Sequence, residues 1–211
     1  MKKLLLFVLP IMMTGCASHP PLLSAPAQPP EALFPEKPIV TPVDAVTRPD
    51  IALIWSASGK MAIHLTQPDG HESAGTIYYV WQQHGNLYRI TLSGPLGQGR
   101  TVIEGTPERV TLDSAKTGHM EASTPENLMQ SALGWSAPVS YLRKWIQGLP
   151  ATDQAETVAD ETGILKTSLE SPWQADFKSW QPAGKFLLPE KVVITGPDTT
   201  LTLLVSRWNV E

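Results

Sequence analysis

The chain has 211 residues, of which 42% are hydrophobic and 17% charged, and its formal net charge at pH 7 is −4. This length supports one sizeable domain or two, and the acidic balance argues against a general electrostatic attraction to nucleic acids or anionic lipids. The single cysteine, Cys16, excludes an intrachain disulfide and a cysteine-rich metal site. We therefore expect a globular protein that has no disulfide, no metal and no other cofactor.

The first 15 residues have the pattern of a secretory signal. Two lysines precede an apolar run over residues 4–13, which is shorter than the roughly 20 residues that a membrane-spanning helix needs. The run ends in Met13-Thr14-Gly15-Cys16, which resembles the bacterial lipoprotein signal box, where the cysteine is lipidated on sulfur and becomes the first mature residue. This resemblance implies a lipid anchor on Cys16. Ala17 stands where lipoproteins of the inner membrane often have aspartate, which implies an outer-membrane destination.

Residues 16–50 are predicted to form a tether. Residues 17–50 contain nine prolines in 34 positions and have no sustained apolar period. This composition favours polyproline II or disorder and is typical of a semi-rigid spacer. At about 3.1 Å per residue its reach approaches roughly 100 Å. We expect the tether to hold a domain over residues 51–211 well away from the membrane.

Residues 51–211 are dominated by the patterns of β-strands. Apolar and polar side chains alternate over residues 59–65, residues 75–83 are apolar on both faces, and a turn then leads into residues 87–93. Further strands are predicted at residues 101–104, 109–113, 164–169, 173–177, 191–195 and 200–208.

Two helices are predicted together in the middle of this domain. Thr124-Pro125-Glu126 offers an N-cap, a proline at the first helical position and an acidic first turn, and Gly134 ends the helix. The second helix begins at Pro138 and ends before Gly148. Because two amphipathic helices interrupt a series of antiparallel strands, we predict a mainly β fold with inserted helices: a curved sheet or part-barrel whose open side the helices cover.

A concave sheet under a lid would enclose a hydrophobic cavity between facing apolar walls. The large aromatic side chains of the strands and the apolar stripes of the helices are its candidate walls. Ordinary packing in the core is the alternative for each aromatic residue. The candidate cavity or lid residues are Trp81, Tyr88, Ile90, Leu92, Leu128, Leu142, Trp145, Ile146 and Leu149.

The segment 94–99, which joins the third and fourth strands, contains Leu96 as its one large apolar residue. Together with the next two residues it differs by one substitution from a phosphate-binding loop, with Arg100 where that motif requires lysine, but no helix follows to complete such a site. Leu96, between Pro95 and Gly97, either packs back onto the domain or forms an exposed tip that contacts a membrane. Composition leaves both possibilities open.

The sequence predicts no catalytic centre. The five histidines are scattered, and the Gly-x-Ser-x-Gly motif of serine hydrolases does not occur. Glu104 and Glu108 flank a turn, where solvation explains both carboxylates. We therefore expect a protein that is not an enzyme.

Several motifs in the same order resemble the LolB family of outer-membrane lipoproteins. Residues 142–150, Leu-Arg-Lys-Trp-Ile-Gln-Gly-Leu-Pro, look like the family's L-R-x-W-I-x-G-L-P helix end. Residues 94–97 look like its N-P-L-G loop, with glycine in place of the asparagine, and residues 81–83 and 208–209 also fit. The resemblance implies a half-closed barrel whose cavity takes the acyl chains of a lipoprotein cargo. It also assigns the loop leucine, here Leu96, to the transfer of cargo into the membrane.

The function implied by this resemblance is a transfer in which no covalent bond is made or broken. The protein would accept acylated lipoproteins from the periplasmic carrier LolA and insert them into the outer membrane through a loop of Pro95, Leu96 and Gly97. It would act as a monomer, held to outer-membrane lipids by the acyl chains on Cys16, without a nucleic-acid partner. A stand-alone envelope lipoprotein of the same fold, which binds or senses a lipid, is the alternative. An envelope enzyme would need a converged set of polar residues.

Overall fold

The computed structural model describes residues 54–135 and 137–211. The predicted signal segment over residues 1–15, the lipidation site Cys16 and the tether over residues 16–50 lie outside the described residues. The strands are β1 (Ile54–Thr66), β2 (Glu72–His84), β3 (Leu87–Ser93), β4 (Thr101–Gly105), β5 (Val110–Ser114), β6 (Gly118–Ala122), β7 (Glu156–Ala159), β8 (Leu165–Glu170), β9 (Trp173–Ala183), β10 (Phe186–Thr195) and β11 (Thr199–Val210). The helices are α1 (Pro125–Leu133) and α2 (Val139–Trp145).

The strands form one antiparallel sheet in the order β6-β5-β4-β3-β2-β1-β11-β10-β9-β8-β7. β1 pairs with β11 in the middle of the sheet, so the two halves of the domain meet there. β6 and β7 are the two outer strands, and the segment that contains α1 and α2 connects them. The sheet therefore stays open between its outer strands, and the helices pack over its buried face as a lid. The predicted half-closed antiparallel barrel with a helical lid is confirmed.

The boundaries of α1 follow from its caps. The Thr124 hydroxyl oxygen accepts a hydrogen bond from the Asn127 amide at 3.2 Å, as a threonine N-cap does. Gly134 adopts the left-handed conformation that ends many helices, at φ 75°, and its amide donates to the Gln130 carbonyl. The predicted start and end of this helix are both confirmed.

The sequence patterns missed the two outer strands. β6 has five residues, so its alternation of Met120 and Ala122 with exposed neighbours is too short to identify a strand, and β7 has four residues that are all exposed. β9 and β10 also extend beyond their predicted limits and include Pro182 and Pro189, a residue type that argues against a strand interior. The pairing of β9 with β10 has a register irregularity next to Pro189, where such a residue is tolerated.

A bulge between β1 and β11 depends on Gly59. The pairing shifts between Ser58 and Gly59, which leaves one extra residue on β11. A Cβ atom on Gly59 would lie 1.9 Å from the Leu204 carbonyl oxygen, so only glycine fits. Because side chains alternate along a strand, the extra residue allows Val205 and Trp208 to face the same side of the sheet. Both belong to the core cluster or pack against it.

Candidate functional site

An apolar cavity lies between the sheet and the lid. Its volume is about 40 Å³, which is room for a few water molecules. An acyl chain needs far more space, so the lid is closed over the sheet in this conformation. The lining residues are Met61, Tyr79, Trp81, Ile90, Leu92, Ile103, Met129, Trp135, Ala137, Val139, Leu142, Leu201 and Leu203.

Both walls of the cavity contain side chains that can rearrange. Met61 lies in β1 on the sheet side, and Met129 lies in α1 on the lid side. Methionine is unbranched and polarizable, so it fills irregular space and repacks at low cost. Contacts between these walls are apolar, and an apolar ligand that entered would replace them with contacts of the same kind.

The sheet wall of the cavity includes a cluster of packed aromatic rings. The centroid of Trp55 lies 5.6 Å from that of Trp81 and 5.4 Å from that of Trp208, and Trp81 lies 6.2 Å from Tyr88. The indole nitrogen of Trp81 donates to Gln83 Oε1 at 3.0 Å, and the amide of Gln83 donates to a carbonyl of the β2–β3 turn at 2.6 Å. These hydrogen bonds hold Trp81 and Gln83 in one arrangement, whereas the buried Nε1 of Trp55 has no hydrogen-bond partner within the described part of the chain.

The end of α2 is fixed to the sheet by Glu170, the last residue of β8. This carboxylate is 6% exposed. It accepts hydrogen bonds from Trp145 Nε1 at 3.1 Å, the Ala151 amide at 2.6 Å and the Ser168 hydroxyl at 3.0 Å. Buried carboxylates require such partners. We call this group of four residues the lid anchor, because it joins the end of α2 and the following segment to β8.

Gly148 completes the turn after α2. Its φ of +78° lies in the left-handed region, and a Cβ atom there would lie 2.4 Å from the ring of Trp180. Only glycine meets both requirements. The helix-end motif of residues 142–150 therefore has a structural explanation: Trp145 binds Glu170, and Gly148 allows the chain to turn against Trp180.

The loop between β3 and β4 presents Leu96 to solvent. The Leu96 side chain is 96% exposed, and its backbone has φ 61°, the one positive value at a non-glycine residue in the described part of the chain. Hydrogen bonds from the Gly97 amide to the Gly94 carbonyl at 3.1 Å and from the Gly94 amide to the Gln98 carbonyl at 2.7 Å close the turn. The left-handed conformation costs a non-glycine residue about 1–2 kcal/mol. The fold therefore holds an apolar side chain in water on a strained backbone.

The candidate residues of the cavity and lid fall into three groups. Those that line the cavity are Trp81, Ile90, Leu92 and Leu142. Those buried in the packing of the lid against the sheet are Leu128, Trp145 and Ile146. Tyr88 lines a neighbouring polar pocket, and Leu149 is half-buried after α2. Pro95, Leu96 and Gly97 lie in a tight turn at the tip of the loop, closed by the hydrogen bond from the Gly97 amide to the Gly94 carbonyl.

Other lining residues were missing from the predicted set. Leu201 and Leu203 follow the period-2 pattern of β11, so that alternation was the signal that could have identified them. Met129 and Val139 lie on the apolar faces of the lid helices. Glu170 had no usable signal, because a glutamate at a strand end is ordinarily a solvated residue.

Residues 54–135 and 137–211 contain no cluster of three or more histidine, cysteine or acidic side chains placed to bind a metal ion. In the same ranges, none of the helices has the length and apolar character needed to cross a membrane.

The site is thus an apolar cavity between an open antiparallel sheet and a two-helix lid, beside a loop with an exposed apolar tip. The family described as outer membrane lipoprotein LolB matches residues 54–208 of this chain. The chain belongs to the LolB family. It is accordingly an outer-membrane lipoprotein, lipid-anchored and facing the periplasm, with a function in lipoprotein localisation.

Individual relatives agree with this assignment. The chain is 34% identical over 211 residues to the outer-membrane lipoprotein LolB of Stutzerimonas stutzeri, covering 99% of this chain and 95% of the relative. It is 38% identical over 157 residues to that of Chromohalobacter salexigens, covering 74% and 71% of the two chains. Among solved structures, a LolA superfamily protein from Nitrosomonas europaea superposes with a TM-score of 0.49 at 11% identity, over 79% of this chain and 90% of that one.

Proposed function

We propose that this protein receives acylated lipoproteins from a periplasmic carrier of the LolA type and inserts them into the inner leaflet of the outer membrane. The observation that carries the proposal is the exposed Leu96 on a loop that directly continues a strand of the apolar cavity. Leu92 lines the cavity, and β3 ends one residue later, at Ser93. An acyl-chain site and an apolar membrane probe are thus adjacent parts of one chain segment.

The cavity supplies the attraction for the acyl chains of the cargo. Burial of the apolar surface of an acyl chain is favourable by about 25 cal/mol per Å² in either protein. Transfer therefore takes its direction from the difference between the cavity of the carrier and the cavity of this protein. Release into the bilayer then takes the chains to a larger apolar phase.

Acceptance of cargo requires the lid to separate from the sheet, because the closed cavity holds about 40 Å³. The lid anchor makes the end of α2 costly to move, since breaking it would leave a buried carboxylate and buried donors unpaired. The contacts of α1 and of the start of α2 with the cavity are apolar, and acyl chains can replace them. The lid is therefore expected to open at α1 and to stay attached at Glu170.

Leu96 is the group that would enter the lipid. Full burial of a leucine side chain gains about 1.5–3 kcal/mol, and Leu96 has almost all of that surface available. Its immediate neighbours in the turn, Pro95 and Gly97, carry no charge that would have to be desolvated. Brief insertion of this tip would bring the cavity to the bilayer surface and lower the barrier to release of the cargo.

Membrane attachment of the protein itself is assigned to Cys16. Two or three acyl chains on this cysteine would hold it firmly, since each buried CH₂ contributes about 0.8 kcal/mol. We propose residues 1–15 as the signal, residues 16–50 as the tether and residues 51–211 as the lipid-binding domain. The tether would let that domain meet a carrier in the periplasm while remaining anchored.

The test separates acceptance from insertion. The mature chain with Cys16→Ser, which lacks the anchor, is mixed with a LolA-type carrier that holds an acylated lipoprotein, and a pull-down shows which protein retains the cargo. The anchored chain in liposomes then reports insertion through recovery of cargo in the vesicle fraction. Transfer in the first assay supports the proposal. With a competent carrier and a folded domain, absence of transfer would favour the stand-alone lipid binder instead.

A further inference from the structure

A second, polar pocket of about 360 Å³ lies next to the apolar cavity. It is bounded by the β2–β3 turn, the β4–β5 turn, the entry to α1 and the start of α2, so sheet and lid both contribute to it. Its donor-bearing side chains are Trp81, Asn86, Tyr88, Thr106, Arg109, Ser123, Thr124, Ser140 and Arg143. We call it the polar pocket.

The polar pocket and the apolar cavity share two walls. Trp81 from the sheet and Val139 from the lid line both of them. An apolar tail that entered the opened cavity would therefore place its polar head in the pocket. The opening between sheet and lid that admits the tail also gives the head access.

The two charged side chains that line the polar pocket, Arg109 and Arg143, are hydrogen-bond donors. Guanidinium groups donate and never accept, and those of Arg109 and Arg143 have only long contacts, at 3.6 Å to Glu121 and 3.4 Å to Asn86. Burial raises the pKa of Tyr88 to about 12, with a further rise from Glu126 and a decrease from Arg143. Its phenol therefore stays protonated and able to donate at any physiological pH.

Glu126, the acidic residue at the start of α1, is already engaged near the pocket. Its carboxylate accepts from the Ser140 amide at 2.8 Å and from the Ser140 hydroxyl at 3.1 Å. Glu126 raises the pKa of Tyr88 and Arg143 lowers it, and Arg109 lies 3.6 Å from Glu121. Acidic groups near the pocket thus offset part of the charge of its two arginines. Donors in a partly neutralised setting suit uncharged oxygen acceptors better than a phosphate group.

Tyr88 is positioned by a glycine on the neighbouring strand. A Cβ atom on Gly105 would lie 2.0 Å from the Tyr88 ring and 2.5 Å from its hydroxyl oxygen. The ring therefore lies flat against β4, which keeps the phenol at the edge of the pocket. The backbone of Gly105 is not in the left-handed region, so a methyl group there would act on the Tyr88 ring and not on the fold of the turn.

We propose that the polar pocket binds the head of the acylated cysteine of a lipoprotein, through the ester and amide carbonyl oxygens that join its acyl chains to the residue. This inference rests on the proposed function. An acylated cysteine is uncharged at these groups and presents mainly acceptors, which matches the donors of Arg109, Arg143 and Tyr88. The pocket lies at the opposite end of β3 from Leu96, about 20 Å away for a seven-residue strand. The cargo head and the membrane tip would thus occupy different ends of the domain.

The experiment measures binding of defined probes to the mature chain with Cys16→Ser. The probes are a synthetic tripalmitoyl-cysteine peptide, the hydrocarbon diphenylhexatriene, which has no acceptor, and dipalmitoyl phosphatidylglycerol. The variants are Arg109→Met, Arg143→Met and the double variant. Arg207→Met, an exposed arginine of β11 that does not line either site, is the matched control.

Each arginine substitution is expected to lower the affinity for the peptide about tenfold, since hydrogen bonds from charged donors are stronger than those from neutral donors. Affinity for diphenylhexatriene is expected to stay within about twofold of the parent chain. Arg207→Met should match the parent chain with every probe. Gly105→Ala, which pushes the Tyr88 ring aside, should lower the affinity for the peptide but leave the affinity for diphenylhexatriene unchanged.

Three results would overturn the inference. Unchanged peptide binding in the double variant would show that the pocket does not hold the head, and equal losses for peptide and hydrocarbon would show that the arginines only support the cavity. Preferential binding of phosphatidylglycerol, with steep weakening by salt, would identify a phosphate site. If selective loss of peptide is found but no carrier transfers cargo, the proposed function fails while the pocket assignment stands.

Discussion

The lid anchor and the Leu96 tip are opposite in almost every physical respect. Trp145 is fully buried and hydrogen-bonded to a carboxylate that is 6% exposed, whereas Leu96 is 96% exposed and makes no apolar contact of comparable extent. The anchor satisfies the usual rules of packing and polar pairing, and the tip violates them through exposure and a strained backbone. This difference suggests that the anchor maintains the structure and the tip serves a function that stability alone would not select.

The largest effect is expected from Trp145→Asp. This change removes a buried indole and places a second carboxylate beside Glu170, so we expect a loss of more than about 4 kcal/mol in the free energy of unfolding. Urea unfolding measures the loss, and the carrier pull-down should show that acceptance of cargo fails. A variant that is folded, stable and accepts cargo normally would show that the lid anchor does not maintain the structure.

Trp145→Phe is the milder companion, in case the aspartate variant does not fold. It keeps most of the ring but removes the donor to Glu170, and the expected loss is about 1–3 kcal/mol.

Glu170→Gln tests the acceptor side of the lid anchor. Two donors from different parts of the chain, the Trp145 indole and the Ala151 amide, bind its two carboxylate oxygens, and one of them would face an amide NH₂ group. We expect a loss of about 1–3 kcal/mol in urea unfolding and faster amide hydrogen exchange at the end of α2. Glu161→Gln, at an exposed position, should stay within about 0.5 kcal/mol of the parent chain. Equal behaviour of the two variants would mean that Glu170 does not anchor the lid.

Leu96→Glu tests the tip. The side chain contributes little to packing, so we expect a change in unfolding free energy of at most about 0.5 kcal/mol and normal acceptance of cargo from the carrier. Insertion into liposomes should be blocked, because a carboxylate must be desolvated to enter the lipid. Leu87→Glu is the matched control, since Leu87 is 53% exposed at the opposite end of β3. A Leu96→Glu variant that inserts cargo at the normal rate would refute the function assigned to the tip.

The smallest effect on stability is expected from Leu96→Gly. This variant separates the function of the tip from its contribution to stability. Glycine adopts the left-handed conformation freely, so relief of strain should offset its extra entropy in the unfolded chain. We expect Tm to be unchanged or to rise by a few degrees, given that 1 kcal/mol shifts Tm by about 2–4 °C in domains of 150–250 residues. Insertion should fall although stability does not. A clear drop in Tm would show that the leucine side chain stabilises the loop.

Much of the fold could be predicted from local patterns. The bounds of β3 and both ends of α1 follow directly from alternation, a threonine cap, a proline and a glycine. The outer strands β6 and β7 could not be predicted, because the alternation in β6 covers only a few residues, β7 is exposed throughout, and both pair only where a neighbouring strand is available. The sequence predicted an apolar cavity but only part of its lining. Trp81 and Leu142 belong to the predicted set, whereas Leu201 does not.

The class of protein could be recognised from the sequence through motifs in a fixed order, a lipoprotein signal pattern and two amphipathic helices between runs of strands. Each of these features consists of residues that are neighbours in the chain. Which side chains meet across long stretches of chain depends on tertiary packing. Glu170 reaches Trp145 over 25 positions, and the polar pocket joins two turns of the sheet to the start of α2. The exposure of Leu96 was also undecided until folding placed the loop beyond the reach of the core, because burial depends on what the rest of the chain covers.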